Sequence, residues 1–573
     1  LPIPDAYLSR TRIAYLTMEI GLRAEMHCYS GGLGLLAGDL ARSAAELGLP
    51  MVFVSLVSRQ GYVRQTIEAD GQHDSADPWR PEDWAQPLDV RVALPLSGRT
   101  VWIGAWLHEL ECGGGRVPVL LLDTDLPEND AQDRGLTDRL YGGDATHRLR
   151  QEAVLGIGGE HILRALDFRV EHYHLNEGHA AFLAASLLQR HPTDERRAGG
   201  VSDAAVPGRA AQRYDAAAVR AACVFTTHTP VAAGHDRFEY DALERELGQA
   251  LDVPALREFG GEGTLNMTRL ALNLSGYTNA VARRHVQTAR EMFPGYRIDG
   301  ITNGVHPSQW VHPAIASLFD ALAADWRRHP ETLFRADELA DDALWDAHGL
   351  AKGELLEHIA RTTGVTFDPA LPVIGFARRM TGYKRADLLF TDLDRLLAIA
   401  DAHPFQVVMA GKAHPNDGEG KALIGRIVAM SRELAGRLQL VFLPNYDISL
   451  AQRLVAGSDV WLNTPVPPLE ASGTSGMKAA FNGVPSLSVM DGWWMEGCED
   501  GITGWRIGEA DGSDPEGHAA SLYARLEQDV LPCYESDRGA WLRIMKQTIG
   551  RLAPQFSSHR MLRDYVSAAY LRR

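Results

Sequence analysis

The sequence predicts an α/β protein of two domains, each built on a parallel sheet, with a cleft between them. Three observations carry this reading. Residues 13–57 run strand, Gly loop, helix, strand, which is the repeating unit of a parallel sheet. A second alternation of apolar strands and helical segments begins at Val373. Polar clusters follow apolar runs in both halves, and ligands of open parallel sheets sit beyond the carboxyl ends of strands.

Composition narrows the classes of function. The chain has 573 residues, 45% hydrophobic and 23% charged, as in globular proteins with room for more than one core. A formal net charge of −17 argues against a nucleic-acid groove or an anionic membrane surface as main partner, while leaving room for a local basic pocket. Cys28, Cys112, Cys223, Cys498 and Cys533 are scattered without a Cys-x-x-Cys pair, which predicts reduced thiols, a cytoplasmic setting and no zinc or other metal site. No apolar run reaches the roughly 18 residues of a membrane span, and the N-terminus has no basic-then-apolar signal pattern.

In chain order, Ile13–Ile20 reads as the first strand, Ser30–Asp39 as a Gly loop entering a helix that runs to Leu47, and Met51–Val57 as the second strand. The alternating runs Val90–Leu94, Val101–Trp106 and Val117–Leu122 predict a meander at the sheet edge. Arg148–Leu166 has a helical pattern, and His172–His179 is a strand running into a polar loop. Residues 191–215 are rich in Ala, Gly, Arg and Asp without apolar period, which predicts a mobile surface loop. Cys223–Pro230 is another strand with a polar end, helices are expected over much of 240–293, and Ile298–His306 gives strand and turn. After a helical stretch from Pro313 to about Thr363, strands are expected at Val373–Ala377, Phe405–Ala410, Leu438–Leu443, Val460–Asn463 and Ser486–Val489. The division falls near residue 305, giving an N-terminal domain over 1–305 and a C-terminal domain over 306–573.

The most informative stretch is 470–497. Ser472, Gly473, Thr474, Ser475 and Gly476 form a small, donor-rich turn before Met477–Phe481, which has good helix propensity. Unpaired N–H groups at a helix start, approached across small residues, suit an anion such as phosphate. A nucleotide P-loop is excluded, because Met477 separates Gly476 from Lys478 and Ala479 stands where the metal-binding hydroxyl belongs. A lysine one turn into the helix beside a phosphate cradle suits pyridoxal phosphate, with the aldehyde on the amine. An ordinary Gly-rich loop with a solvated lysine satisfies this stretch equally well by itself.

Arg378-Arg-Met-Thr-Gly-Tyr-Lys-Arg385 places four cations in eight residues directly after a strand. Cations at a helix start oppose the macrodipole and call for a compensating anion. Together the two clusters predict two phosphates in one cleft, one from a cofactor and one from a substrate.

These residues resemble the α-glucan phosphorylase family. Glu470-Ala-Ser-Gly-Thr-Ser-Gly-Met-Lys478, with Asn482-Gly483 and Met490-Asp-Gly492, is similar to that family's cofactor segment, and Arg378–Arg385 to its phosphate-binding segment. Gly411-Lys-Ala413, Thr302-Asn-Gly304, Leu175-Asn-x-x-His179 and Gly31-Gly-Leu-Gly34 occur in the family's order, so the likeness runs from about Tyr15 to Asp491. The short subfamily, without a long N-terminal regulatory extension, is the nearer match.

The resemblance implies a retaining, two-domain glycosyltransferase of the B type, in which Rossmann-like domains face a central cleft. It implies cleavage of α-1,4-glucan (glycogen or maltodextrin) ends by inorganic phosphate to give α-glucose 1-phosphate, and a homodimer. Pyridoxal 5′-phosphate would be linked to Lys478, with Arg378, Gly473, Thr474, Ser475 and Gly32 in the cofactor set. Arg379 and Lys384 would hold substrate phosphate, and with Lys478 and His179 they complete the expected catalytic set. Gly34, His179, Asn303, Glu470, Ser472 and Gly473 would meet the substrate.

Three departures from the family pattern bear on the acceptor and the ring contacts of the cofactor. Ser58-Arg-Gln-Gly61 stands where the family usually has a tyrosine near the cofactor ring, Val466-Pro-Pro468 replaces a basic pair common in the short subfamily, and Asp447 stands where long forms have arginine, although an acidic residue there is familiar in short forms. A nucleotide-sugar glycosyltransferase of the same build would share the Gly31–Gly34 loop and Glu470 but have no need of Lys478. A catalytically silent glucan-binding protein is the reading from another class, and turnover separates it from the first two.

Overall fold

The computed structural model describes residues 2–68, 70–193 and 213–571, so the expected surface loop over 191–215 lies largely outside the described residues. Two sheets organise the chain, one of ten strands and one of six.

In the first sheet Ile13–Thr17 pairs in parallel with Met51–Leu56 on one side and His172–Asn176 on the other. Cys223–Thr226, Tyr277–Ala280 and Asp299–Gly300 extend one flank in parallel. On the other flank Gly115–Asp123 adds in parallel to Met51–Leu56, and Arg99–Cys112 then turns antiparallel, with Gln86–Pro87 and Val92–Leu96 at its edge. The expected meander is therefore there, but its last strand belongs to the parallel sheet. Its run from Val117 to Asp123 is buried throughout, as a strand covered on both faces must be.

The second sheet is wholly parallel, in the order Gln439–Leu443, Gln406–Ala410, Val373–Ala377, Val460–Asn463, Ser486–Val489, Gly504–Ile507. Every residue of Val373–Ala377 is buried, which explains why its sequence shows no apolar and polar alternation.

Strand order in a parallel sheet reverses where consecutive crossovers go to opposite sides, and the loops there diverge to leave a crevice. In the first sheet this happens between Ile13–Thr17 and His172–Asn176, in the second between Val373–Ala377 and Val460–Asn463. The Gly31–Gly34 loop and the 176–179 loop leave the first switch point. Arg378–Arg385 and the segment leading to Glu470 leave the second.

The two halves are joined directly. A hairpin of Arg64–Glu68 and Gly71–Ser75 reaches the second sheet, where Gln65 Nε2 donates to the Gly411 carbonyl at 2.8 Å and Gln72 Nε2 to that of Ala413 at 3.0 Å. The C-terminal segment returns to the first sheet. Asn279 Nδ2 donates to the Tyr565 hydroxyl at 3.1 Å, and the Tyr570 hydroxyl lies 2.6 Å from His174 Nδ1.

The helical pattern over Arg148–Leu166 is realised as Ala145–Ala153 and Gly159–Ala165, joined by a π-helical turn over Val154–Gly158. Gly156 lies in that turn, where a Cβ would come within 2.6 Å of the Leu183 nitrogen, so a side chain there would push away the helix Phe182–Arg190. Among the described residues no helix is long and apolar enough to cross a membrane.

Candidate active site

Glu19, just beyond the first strand, shapes the Gly loop. Its carboxylate accepts from the Ser30 N–H at 2.6 Å, the Gly31 N–H at 3.2 Å and the Tyr141 hydroxyl at 2.8 Å. A Cβ on Gly34 would lie 2.7 Å from Glu19 Oε2, so glycine is what lets the carboxylate close on the loop. Cβ atoms on Gly31 and Gly32 would meet nothing within 4 Å, which leaves the loop's outer surface free to approach a ligand.

Across the switch point, His179 is buried with its Nε2 3.4 Å from Asp236 Oδ2, and its ring meets that of Tyr141 edge-on at 6.0 Å. Burial, assisted by Arg148, pushes the His179 pKa down to about 3, so the imidazole is neutral. Behind it, Glu152 faces Asp236 carboxyl to carboxyl. Burial and the Asp236 charge raise the Glu152 pKa well above the ordinary range, so Glu152 keeps its proton and donates to Asp236. Arg148 completes this wall, its Nε 2.9 Å from Glu152 and its NH2 3.2 Å from Asp236.

From the second switch point, Arg378 and Lys384 converge on Glu470. Arg378 NH2 donates to Glu470 Oε2 at 2.5 Å, and Lys384 Nζ donates to the same oxygen. Burial would raise the Glu470 pKa, but the two cations outweigh it and hold it at about 2. The Glu470 N–H is anchored on Asp491 Oδ2 at 2.8 Å, and the Trp493 N–H donates to the Ser472 carbonyl at 2.8 Å. Arg379 is exposed to the cleft, in the field of Tyr62, Glu19, Tyr141 and Tyr383. It links the two halves of the site.

Gly473 precedes the helix Thr474–Ala480 with φ +81°, a left-handed conformation natural to glycine. The Ser475 hydroxyl accepts from Trp461 Nε1 at 3.1 Å. Lys478, on this helix, is 4% exposed, and its Nζ lies 3.8 Å from the ring centre of Trp310. Burial lowers its pKa to about 8, against an opposing pull from Asp39, so neutral amine is present near neutral pH.

Several of the expected site residues keep buried polar atoms without a partner: Arg378 Nε and NH1, His179 Nδ1, Asn303 Oδ1 and Ser472 Oγ. Buried polar groups are nearly always paired, so these five atoms, all on residues nominated from the sequence, leave hydrogen-bonding capacity open at the site. Lys384 and Glu470 are instead satisfied by each other.

Sequence reasoning missed Glu19, Tyr141, Asp39 and Trp310, and took the polar end of Cys223–Pro230 without choosing His228. The signal for Glu19 and His228 was their position just past strand ends. His228 is half-buried there, 2.7 Å from Asn176 Oδ1, and its N–H donates to Glu177 at 2.7 Å. Tyr141, Asp39 and Trp310 reach the site from other elements, and no local pattern announces them.

Two α/β units whose switch points face a common cleft constitute the glycosyltransferase B fold. The description of carbohydrate phosphorylase matches residues 235–500. The chain is 38% identical to maltodextrin phosphorylase of Thermococcus litoralis over 97% of its length and 70% of that protein. It is 38% identical to glycogen phosphorylase of Mycobacterium tuberculosis, covering 98% of this chain and 71% of that one. It is 34% identical to glycogen phosphorylase of Aquifex aeolicus, covering 97% and 86%. The chain belongs to the carbohydrate phosphorylase family.

Proposed function

We propose that the protein catalyses reversible, retaining phosphorolysis of α-1,4-glucan ends by inorganic phosphate, giving α-glucose 1-phosphate, with pyridoxal 5′-phosphate on Lys478. The observation that carries this is the set of buried, partnerless atoms on Arg378, His179, Asn303 and Ser472, in one chain with a buried lysine that burial brings toward neutrality. The residues present fit the cofactor. Lys478 offers an amine for the aldehyde, and the free Nε and NH1 of Arg378 offer charged donors to a phosphate beside Gly473, Thr474 and Ser475. When bound, the cofactor supplies a phosphate whose second pKa of about 6 lets it gain and lose a proton near neutral pH.

In this reading Arg379 and Lys384 hold substrate phosphate, whose negative charge stabilises the cationic sugar that develops as the glycosidic bond breaks. Glu470 is the resident counter-ion that keeps Arg378 and Lys384 paired until the anions arrive. His179, Asn303 and Ser472 direct their free polar atoms to sugar hydroxyls. His179 does so as a neutral imidazole, which can offer Nδ1 as donor or acceptor. The Gly31–Gly34 loop, drawn in by Glu19, closes over the reacting groups and excludes water.

Incubation with maltodextrin and phosphate, reading the anomeric proton of the product by NMR, tests this. Formation of α-glucose 1-phosphate is expected. A β-configured product, or turnover only with a nucleotide sugar, contradicts the proposal.

A further inference from the structure

Asp39 lies in the second turn of the helix Gly32–Glu46, whose first turn is the Gly loop of the cleft. It is 1% exposed. Its Oδ2 accepts from Trp310 Nε1 at 2.8 Å, and its Oδ1 has no partner. The ring of the same Trp310 lies against the Lys478 amine at 3.8 Å, so one indole touches both the carboxylate and the lysine.

We infer that Asp39 is a positioning residue for Lys478: through Trp310 it fixes the place of the amine, and through its own charge it holds positive charge there. The importance of this for the reaction rests on the assignment of Lys478 as the cofactor lysine.

The groups around Asp39 favour this assignment. Burial raises the Asp39 pKa, and the groups that oppose it and favour the carboxylate are first Lys478, then Arg42 on its own helix, the Trp310 N–H and the His306 backbone N–H. Arg42 is committed elsewhere, to the carbonyls of Gly21 and Leu22. Asp39 is in turn the charged group that opposes the effect of burial on Lys478. A buried carboxylate oxygen without a donor is uncommon in a folded protein. Lys478 supplies charge of the right sign beside it, across the Trp310 ring. Because Asp39 belongs to the Gly-loop helix, movement of that helix would alter the charge on the lysine.

The test uses the protein without cofactor, so its outcome does not depend on pyridoxal phosphate binding. Acetylation of Lys478 by acetic anhydride is followed against pH by peptide mass mapping, and the midpoint is read. Wild type is expected to turn near pH 8. Asp39→Asn keeps the shape and an acceptor for Trp310 but removes the charge, and should lower the midpoint by about one pH unit, a several-fold rise in reactive amine at neutral pH. Asp39→Ser should give the same shift despite different packing, and serves alone if the Asn variant does not fold. Asp39→Glu should return the midpoint toward wild type. A midpoint unchanged in the folded uncharged variants overturns the inference. If the midpoint shifts but no cofactor is ever found on Lys478, the coupling stands and the proposed function fails.

Discussion

Arg378 donates to Glu470 at 2.5 Å, and the oxygen that accepts this bond also accepts one from Lys384. A single buried carboxylate thus pairs with two cations and leaves a net positive charge in a cleft expected to receive two anions. Breaking a buried pair by removing one partner typically costs about 3–5 kcal/mol, because the remaining charge stays desolvated. Glu470→Gln should therefore lose stability of this order in phosphate-free buffer. It should recover more of it than wild type does when inorganic phosphate is added, as read from thermal unfolding midpoints.

The same carboxylate gives an acid limb to the stability curve. Its pKa of about 2 in the folded protein lies below the ordinary value of 4.5. Its contribution is therefore fully present above 4.5 and lost as pH falls toward 2, to a total of about 3 kcal/mol by linkage. Urea titrations of wild type and Glu470→Gln across this window should differ in slope, wild type losing more stability on acidification.

Glu152 works in the opposite sense. Its folded pKa is raised, so on going up in pH the unfolded chain releases this proton while the folded one keeps it, and stability falls. Glu152→Gln retains a donor for Asp236 and removes that dependence. It should be at least as stable as wild type at neutral pH, whereas Asp236→Asn, which takes the counter-charge from Arg148 and frees Glu152 to ionise in its place, should abolish the fall in stability with rising pH.

Lys384→Ala should separate the two anions. One charge-assisted hydrogen bond is worth about 1.5–3 kcal/mol, so the phosphate KM should rise at least tenfold while the cofactor stays bound. Loss of pyridoxal phosphate with an unaltered phosphate KM would mean that the two anions are assigned the wrong way round.

Much of this was legible in the chain because it is local. Val373–Ala377, Val460–Asn463 and Ser486–Val489 are the strands expected from their apolar runs, to the residue. Tyr277–Ala280 was hidden among expected helices because its four residues, Tyr-Thr-Asn-Ala, carry too little apolar signal. Of the site, the clusters after strand ends could be read because the carboxyl-end rule places them. The pairing of Glu470 with Arg378 and Lys384 spans 92 and 86 residues, and nothing short-range encodes it. The Asp39–Trp310 bond, 271 residues apart, is likewise a product of the two halves meeting.

In the proposed reaction Lys478 carries the cofactor. Borohydride reduction of protein loaded with pyridoxal phosphate, followed by proteolysis and mass mapping, tests it most directly. A pyridoxyl adduct confined to the peptide containing Lys478, and absent from Lys478→Ala, is the expected result. An adduct on another lysine, or no stoichiometric adduct after reconstitution, would contradict the account.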